Sequence, residues 1–265
     1  MPFQQPARKR FGQHFLHDPR IVRRIIAAFA PRPEDAVVEI GPGQGALTRE
    51  LLPLVTRLHV IELDRDLVGR LRTDYAPESK LIIHGADALK FDFSQLASPG
   101  AKLRIIGNLP YNISTPLLFH LLEQASIIQD MLFMLQKEVV DRLSAGPGEK
   151  DYARLSVMIQ SHCEVEKLFT VGPGAFRPAP KVDSAIVRLH PYPTPPVSIA
   201  DRQVFADIVR TAFVHRRKTL HNNLKDLLPD ELISAAGIDP ARRAETLSLA
   251  EFAALGNTLA QRKNA

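Results

Sequence analysis

The 265-residue sequence has little of several features that mark particular classes of protein. It contains one cysteine, Cys163, which excludes an intramolecular disulfide and a cysteine-rich zinc site and favours a reducing compartment. No apolar run reaches the roughly 18 residues of a membrane-spanning helix. The basic N-terminal residues lack the apolar stretch that follows in a secretory signal. We therefore expect a cytoplasmic protein without a membrane partner.

Aromatic residues are also scarce, and internal repeats and low-complexity tracts are absent. Phe, Tyr and Trp make up 6% of the chain, which argues against a surface that stacks many bases. Hydrophobic residues make up 45%, so the chain can bury a sizeable core. At this length we expect one α/β domain and a smaller second domain.

The order of apolar runs and helical periodicities predicts the domain organisation. Short β-type runs alternate with helical segments through about residue 190, which is typical of a doubly wound α/β sheet. Residues 164–171 and 184–190 are expected to form a hairpin-like pair of strands at one sheet edge. The stiff proline-rich segment 190–196 marks a boundary, and the apolar spacing after it is helical. We predict an α/β domain over residues 1–192 and a small all-helical domain over residues 193–265.

A glycine-rich loop follows the predicted strand 36–40 and precedes a predicted helix. Its glycines, Gly41, Gly43 and Gly45, can adopt positive φ and expose bare backbone to a ligand beside the free N–H groups of a helix N-terminus. The Gly-x-Gly-x-Gly spacing differs from the dinucleotide fingerprint. It resembles the first motif of Rossmann-like S-adenosylmethionine-dependent methyltransferases. Taken alone, the loop is as typical of a plain tight turn.

Acidic residues follow the next two predicted strands. Glu62 comes about twenty residues after the glycine loop, where an acid can hold ribose hydroxyls, and we prefer it to Asp64 because it follows the apolar run directly. Asp87 can accept the amino group of an adenine while Ala88 donates its backbone N–H. Each acid alone is also typical of a helix N-cap or a solvated surface. Their order and spacing together favour a nucleoside-cofactor site.

The turn Asn108-Leu109-Pro110-Tyr111 follows the apolar run 103–107. The Asn108 carboxamide and the Leu109 carbonyl can accept hydrogen bonds from an exocyclic amine, while the Tyr111 ring offers a face to the base that carries the amine. Such turns also occur at strand ends without a ligand. Next to the acids upstream, the turn favours an amine substrate.

Five stretches of the chain are similar to a known family, and the similarity runs almost from end to end. The chain resembles the small-subunit ribosomal RNA adenine dimethyltransferases (KsgA/RsmA type) in residues 9–16, the glycine loop, and residues 107–114, 176–184 and 213–224. The resemblance implies a class I S-adenosylmethionine-dependent methyltransferase domain. It also implies N6,N6-dimethylation of two adjacent adenines in a hairpin loop near the 3′ end of 16S rRNA, together with a role in subunit assembly.

The resemblance also implies roles for individual residues. The cofactor-binding positions would be His14, Leu16, Gly41, Gly43, Gly45, Glu62, Leu63, Asp87, Ala88 and Asn108. The catalytic positions would be Asn108, Leu109, Pro110, Tyr111 and Phe176, with Tyr111 and Phe176 stacking on opposite faces of the target adenine. A core aromatic before a rigid turn is the other interpretation of Phe176. Many relatives carry Asn at the position of His14, where a backbone contact would survive the change and a carboxamide contact would be altered.

Basic residues occur in local clusters, although the net charge is only +5. Clustered Arg and Lys suit contact with phosphates, and the scarcity of aromatics favours recognition of a folded RNA by shape and backbone. We therefore predict that RNA is bound by Arg8, Lys9, Arg10, Arg216, Arg217 and Lys218. The partner implied is 16S rRNA in the small subunit or its precursor.

Two other functions share these features. One is a sister enzyme acting on large-subunit rRNA, and the other is a ribosome-assembly factor without catalysis. The long matches around residues 176–184 and 216–224 favour the small-subunit enzyme, and the intact cofactor and amine-binding residues favour catalysis. No histidine or cysteine has metal-ligand spacing, so we expect no metal. We expect a monomer.

Overall fold

The computed structural model describes residues 13–97 and 100–263, which divide into two units. The first unit comprises the chain up to Val140 together with Glu166–Pro191, and the second comprises Asp141–Val165 and the chain from Tyr192 onward. The strands, in chain order, are β1 (Phe15–Leu16), β2 (Ala36–Ile40), β3 (Leu58–Glu62), β4 (Leu81–Gly85), β5 (Leu103–Asn108), β6 (Ile128–Gln136), β7 (Cys163–Val171), β8 (Phe176–Arg177) and β9 (Ser184–Pro191).

Seven of these strands form one mostly parallel sheet in the order β4-β3-β2-β5-β6-β9-β7. Neighbours from β4 to β6 pair in parallel, whereas β9 pairs antiparallel with β6 and lies beside β7 at the edge. The predicted doubly wound sheet with a closing pair of strands is confirmed. Strands β1 and β8 form a separate two-stranded antiparallel pair.

Helices precede or connect the parallel strands of the first unit. They are α1 (Pro19–Phe29), α2 (Ala46–Leu51), α3 (Arg65–Asp74) and α4 (Ser114–Glu123). Helix α1 begins where the Asp18 carboxylate accepts a hydrogen bond from the Arg20 N–H, and Pro19 occupies the first turn, where no N–H is needed. Its apolar stripe is buried through Val22, Ile25, Ile26 and Phe29.

A buried arginine joins the starts of two neighbouring strands to the end of α1. The Arg104 guanidinium donates to both carboxylate oxygens of Asp130 at 2.7 and 2.8 Å and to Asp35 at 2.6 Å. It also donates to the carbonyls of Phe29 and Ala30, which end the helix. Asp130 and Asp35 stabilise the charged guanidinium and so raise the Arg104 pKa, and Asp130 has the larger influence. The ion pairs lie at the amino ends of β5 and β6.

A glycine allows the two central strands to approach closely at their carboxyl ends. A Cβ at Gly107 in β5 would lie 2.5 Å from the carbonyl oxygen of Ile40 in β2, closer than any side chain tolerates. The two strand ends that carry the glycine loop and the Asn108 turn therefore lie against each other.

The second unit is helical and draws on two separate stretches of the chain. Its helices are α6 (Arg154–Gln160), α7 (Arg202–Ala212), α8 (Leu220–Leu224), α9 (Asp230–Ala235) and α10 (Leu249–Lys263), and α5 (Lys137–Ser144) crosses the division near Val140. One apolar core joins Tyr152 and Val157 to Phe205 and Phe252, and the Tyr152 hydroxyl donates to the Leu247 carbonyl at 2.9 Å.

The predicted boundary after residue 192 falls next to one observed division, between Pro191 and Tyr192. The structure differs by adding residues 141–165 to the helical unit, because their apolar side chains complete its core. None of the helices in the described ranges combines the length and apolarity needed to cross a bilayer.

Candidate active site

A cavity of about 280 Å³ lies at the carboxyl ends of the parallel strands. Since these ends meet at one edge of the sheet, residues far apart in sequence converge there. The predicted residues that line the cavity are His14, Gly41, Gly43, Glu62, Leu63, Asp87, Ala88, Asn108, Leu109, Pro110 and Tyr111. Leu16 and Gly45 are the predicted cofactor residues that the structure does not bring to this cavity. Leu16 is a buried core residue beside the glycine loop, and Gly45 is the N-cap residue of α2.

The glycine loop adopts the backbone that its spacing predicts. Gly43 has φ +57°, and a Cβ there would lie 3.1 Å from the Phe15 ring. A side chain at this position would therefore be strained and crowded. The Gly43 N–H donates to Glu62 Oε2 at 3.2 Å, which ties the loop to the end of β3.

Glu62 and Asp64 have different surroundings, although they are two residues apart. Glu62 lines the cavity, accepts the Asp64 N–H at 2.9 Å through Oε1, and is nearly buried. Burial raises its pKa, and its backbone hydrogen bonds partly oppose that effect. Asp64 instead caps α3 by accepting the Asp66 N–H. This division of roles fits the choice of Glu62 as the ribose-binding acid.

The adenine side of the predicted cofactor site follows β4. Asp87 and Ala88 line the cavity, and Asp87 Oδ1 accepts the Leu89 N–H at 3.0 Å, which leaves Oδ2 without a hydrogen bond among the described residues. Leu63, half of whose surface is exposed, lines the same cavity. A carboxylate and an exposed apolar side chain suit the edge and the face of a purine.

A backbone carbonyl fixes the orientation of the Asn108 carboxamide. Asn108 Nδ2 donates to the His14 carbonyl oxygen at 2.9 Å. Because the amide nitrogen is committed to that acceptor, Oδ1 is the atom free to accept a hydrogen bond from a substrate amine. The Asn108 side chain is thus preorganised as an acceptor.

Tyr111 is held at its hydroxyl end and against its ring face. Its hydroxyl shares a 2.7 Å hydrogen bond with Ser184 Oγ, and Ser184 is fully buried at the start of β9. The His14 and Tyr111 rings are stacked, with centroids 5.6 Å apart. Burial raises the Tyr111 pKa, so the phenol stays neutral at physiological pH. The contact with Ser184 could not be found from sequence, whose only signal was a longer motif around that residue.

Phe176 corrects one prediction. Its side chain is 2% exposed, packs in the core of the first unit and does not line the cavity. Strand β8 pairs Phe176 with Leu16, which turns the residue toward the core. In this structure Phe176 is the core aromatic of the alternative interpretation, and it does not close a base-binding site.

The predicted RNA-binding residues fall into three groups. Arg8, Lys9 and Arg10 lie outside the described residues. Arg216 is ion-paired with Glu245 at 2.7 Å and donates to the Lys150 carbonyl, so it anchors its own loop. Arg217 and Lys218 are exposed, and neither makes a side-chain hydrogen bond or ion pair in the described ranges. The latter two are the basic side chains of this loop that are available to a phosphate.

A second buried carboxyl group lies beneath the glycine loop. Glu39 in β2 is 1% exposed and accepts a 2.6 Å hydrogen bond from Thr48 Oγ1. Burial raises the Glu39 pKa to about 8; the Thr48 hydrogen bond opposes this, and the neighbouring Glu62 carboxylate adds to it. Glu39 is therefore mostly protonated at neutral pH in the folded chain.

This protonated Glu39 predicts a pH-dependent stability. Between the ordinary pKa of 4.5 and about 8, the folded chain keeps a proton that the unfolded chain releases. The contribution of Glu39 is thus fully present below pH 4.5 and is lost as pH rises, by up to about 1.4 kcal/mol per pH unit. We expect Glu39→Gln to remove this slope in urea unfolding between pH 5 and 8. The exposed Glu50→Gln is the control, and equal slopes in all three chains would contradict the prediction.

Among the described residues no group of three or more His, Cys, Asp or Glu side chains is arranged to hold a metal ion. Cys163 is buried, and the close pair His59 and His84 is stacked within the sheet.

The fold and the site define the class of protein. A mostly parallel sheet with a glycine loop after β2, acids after β3 and β4, and an amine-accepting turn after β5 is the arrangement of a Rossmann-like, S-adenosylmethionine-dependent methyltransferase. The family model described as ribosomal RNA adenine dimethylase matches residues 4–261. The chain belongs to this family and is an rRNA adenine methyltransferase that uses S-adenosylmethionine.

Individual relatives agree with this assignment. The chain is 58% identical over 259 residues to a "Ribosomal RNA small subunit methyltransferase A" of Pseudomonas aeruginosa, covering 98% of this chain and 97% of the relative. It is 56% identical to the protein of the same name from Pseudomonas syringae pv. tomato, with the same coverage. The structure is similar to a dimethyladenosine transferase from Plasmodium falciparum (27% identity, TM-score 0.76, 95% and 98% of the two chains covered). It is also similar to the 23S rRNA methyltransferase ErmE, with 27% identity and a TM-score of 0.72 over 93% of this chain and 100% of the other.

Proposed function

We propose that this chain dimethylates N6 of two adjacent adenines in a hairpin loop near the 3′ end of 16S rRNA, in the small ribosomal subunit or its precursor. The observation that carries the proposal is the convergence of the Asn108–Tyr111 turn with the acids Glu62 and Asp87 on one cavity. The relatives named small-subunit methyltransferases, at 56–58% identity over nearly the whole chain, support this choice of RNA.

The residues of the cavity match the parts of S-adenosylmethionine. Glu62 would accept the ribose hydroxyls, and Asp87 with the Ala88 N–H would bind the adenine edge, as the free Oδ2 of Asp87 allows. Gly41 and Gly43 leave the backbone bare at the end of β2, where the methionine portion can lie against it. When bound, the cofactor supplies an electrophilic methyl group on sulfur.

The Asn108 turn would activate the amine by position. Adenine N6 is a poor nucleophile because its lone pair is delocalised into the ring. Asn108 Oδ1 and the Leu109 carbonyl would accept its two N–H groups and draw the nitrogen toward tetrahedral geometry. The freed lone pair would then point toward the methyl group that the bound cofactor would supply, and the methylated ammonium would release its proton to water. No general base is needed, so the acceleration comes from positioning and preorganised electrostatics.

Tyr111 would stack on the target base. The hydrogen bond to Ser184 fixes the ring before the base arrives, which lowers the entropic cost of binding. The adenine must leave its RNA stack to reach the ring, at a cost of a few kcal/mol that is smallest in a loop.

Phosphate contact by the basic loop gives a measurable prediction. We expect Arg217→Ser with Lys218→Ser to weaken binding to small subunits about tenfold and to reduce the slope of log affinity against log salt by about 1.5. The exposed pair Arg262 and Lys263 at the end of α10, changed in the same way, is the matched control. An equal loss in both double variants would show a general charge effect and contradict the assignment.

The proposed substrate is tested by methyl transfer from radiolabelled S-adenosylmethionine to small subunits lacking the modification, with large subunits in parallel and primer extension to map the stops. Label confined to two adjacent adenines near the 3′ end of 16S rRNA is the expected result. The likeness to ErmE makes large-subunit rRNA the second candidate, and label on that subunit would establish it. Absence of label on either subunit, with cofactor bound, would favour an assembly factor without catalysis. We further propose that the chain acts in the cytoplasm and that it is a monomer. Sedimentation of the purified protein tests the oligomeric state.

A further inference from the structure

His14 touches the amine-binding turn at two points and the neighbouring loop at a third. Its carbonyl accepts from Asn108 Nδ2, its ring stacks on Tyr111 at an interplanar angle of 29°, and its Nδ1 lies 2.7 Å from the Pro178 carbonyl oxygen. Since a carbonyl only accepts, Nδ1 carries the proton of this bond. The imidazole is therefore fixed at its edge while its face lies against the Tyr111 ring.

The backbone around His14 is also held in place. Phe15 and Leu16 pair with Arg177 and Phe176, and the His17 N–H donates to the Ala175 carbonyl at 2.9 Å. The imidazole thus projects from the residue directly before a short paired strand, and its contact with Pro178 adjoins the Phe15–Arg177 pair. A ring held this way loses little further entropy when a ligand binds.

The contacts of the His14 side chain differ from those of the two carboxylates that would bind the cofactor. Glu62 and Asp87 present carboxylate oxygens at the ends of β3 and β4, whereas the hydrogen-bonding edge of the imidazole is directed to Pro178 and its face to Tyr111. Of the two groups that would bind the acceptor base, the His14 ring contacts Tyr111, and the His14 backbone carbonyl contacts Asn108.

We propose that the His14 imidazole is a positioning residue for the acceptor adenine: it supports one face of Tyr111 and leaves the opposite face for the base. The bound state would be a column of imidazole, phenol and adenine. The inference rests on the proposed function in one respect, namely that the base binds at the Asn108–Tyr111 turn. In this proposal the backbone carbonyl of His14 orients Asn108, and the His14 side chain supports Tyr111. The side chain then has no role in binding the cofactor.

Two substitutions separate the contacts of the imidazole. His14→Asn keeps an N–H donor for the Pro178 carbonyl and loses the ring, whereas His14→Phe keeps a ring on Tyr111 and loses the donor. With cofactor saturating, we expect His14→Asn to raise KM for small subunits about three- to tenfold, the size of a lost aromatic stack. His14→Phe is expected to raise this KM less than His14→Asn does, because the stack on Tyr111 is retained.

Cofactor affinity distinguishes this role from a cofactor contact. We expect the calorimetric Kd for S-adenosylmethionine to change less than about twofold in both variants, because the imidazole does not contact the cofactor-binding groups. His17→Asn is the matched control, since the exposed side chain of His17 makes no hydrogen bond in the described ranges. Thermal melting of each chain shows that it is folded.

Three results would overturn the proposal. A weaker cofactor Kd in His14→Asn with an unchanged KM for subunits would make the imidazole a cofactor contact. Wild-type constants in His14→Asn would show that the ring supports nothing. Equal defects in both variants would show that the stack is not the contact that matters. Label from the wild-type chain at positions other than two adjacent adenines would overturn the proposed function itself, and it is read from the stop positions, independently of the variants.

Discussion

Replacing Asn108 by alanine is expected to lower the rate of methyl transfer at saturating cofactor about 10²- to 10³-fold, as the loss of one preorganised polar group does at other reacting centres. The carboxamide is held by the His14 carbonyl before any substrate arrives, so Oδ1 needs no reorganisation when the amine binds. Its removal leaves the target amine with one acceptor and a delocalised lone pair. Single-turnover methylation of unmodified small subunits measures the effect.

Two further variants show whether the carboxamide orientation carries this effect. Asn108→Asp keeps an acceptor but loses the donor to the His14 carbonyl and places a charge beside it, so we expect a rate between those of wild type and Asn108→Ala. Asn112→Ala truncates the neighbouring exposed asparagine, whose side chain makes no hydrogen bond in the described part of the chain. We expect it to stay within about threefold of wild type. A loss in Asn112→Ala as large as that in Asn108→Ala would refute the assignment.

Replacing Arg104 by methionine is expected to lower the free energy of unfolding by about 3–5 kcal/mol, the usual cost of removing one partner of a buried ion pair. Asp130 is left buried without its cation, and the last carbonyls of α1 lose their donors. Urea unfolding at neutral pH measures the change.

The geometry of the guanidinium separates a specific network from a general charge effect. Arg104→Lys keeps the charge but cannot donate to two carboxylates and two carbonyls at once, so we expect it to lie between wild type and Arg104→Met. Arg20→Met removes an exposed arginine paired with Asp18 and is expected to leave the urea midpoint unchanged. An Arg104→Met midpoint as high as that of Arg20→Met would contradict the role of the network.

The parts of the fold and site that sequence predicts are those with a local cause. The spacing of Gly41, Gly43 and Gly45 dictates a loop of positive φ, and all three residues adopt it. Glu62, Asp87 and Asn108 each follow an apolar run, and parallel strands bring their carboxyl ends to one edge. The chain order of these features therefore sufficed to predict that they converge.

Contacts between distant residues could not be predicted in this way. Arg104 stands inside an apolar run and reads only as an interruption, although Asp35 and Asp130 lie 69 and 26 positions away. Ser184 bonds Tyr111 across 73 positions, and no local pattern links a serine to a tyrosine hydroxyl. The predicted stacking of Phe176 on the target base differs from the structure for the same reason, because the pairing of β8 with β1 places the Phe176 ring in the core.

The discontinuous second unit limits how this chain can be recombined. A chimera that exchanges only residues 193–265 with a relative would keep Tyr152 and Val157 from one parent and surround them with core residues of the other. A chimera that keeps this core intact must exchange residues 141–165 together with the C-terminal segment. During synthesis the early stretch must likewise wait, with its apolar side chains unpacked, until α7 and α10 have emerged from the ribosome. Both recombination and folding of the helical unit therefore depend on two separate segments of the chain.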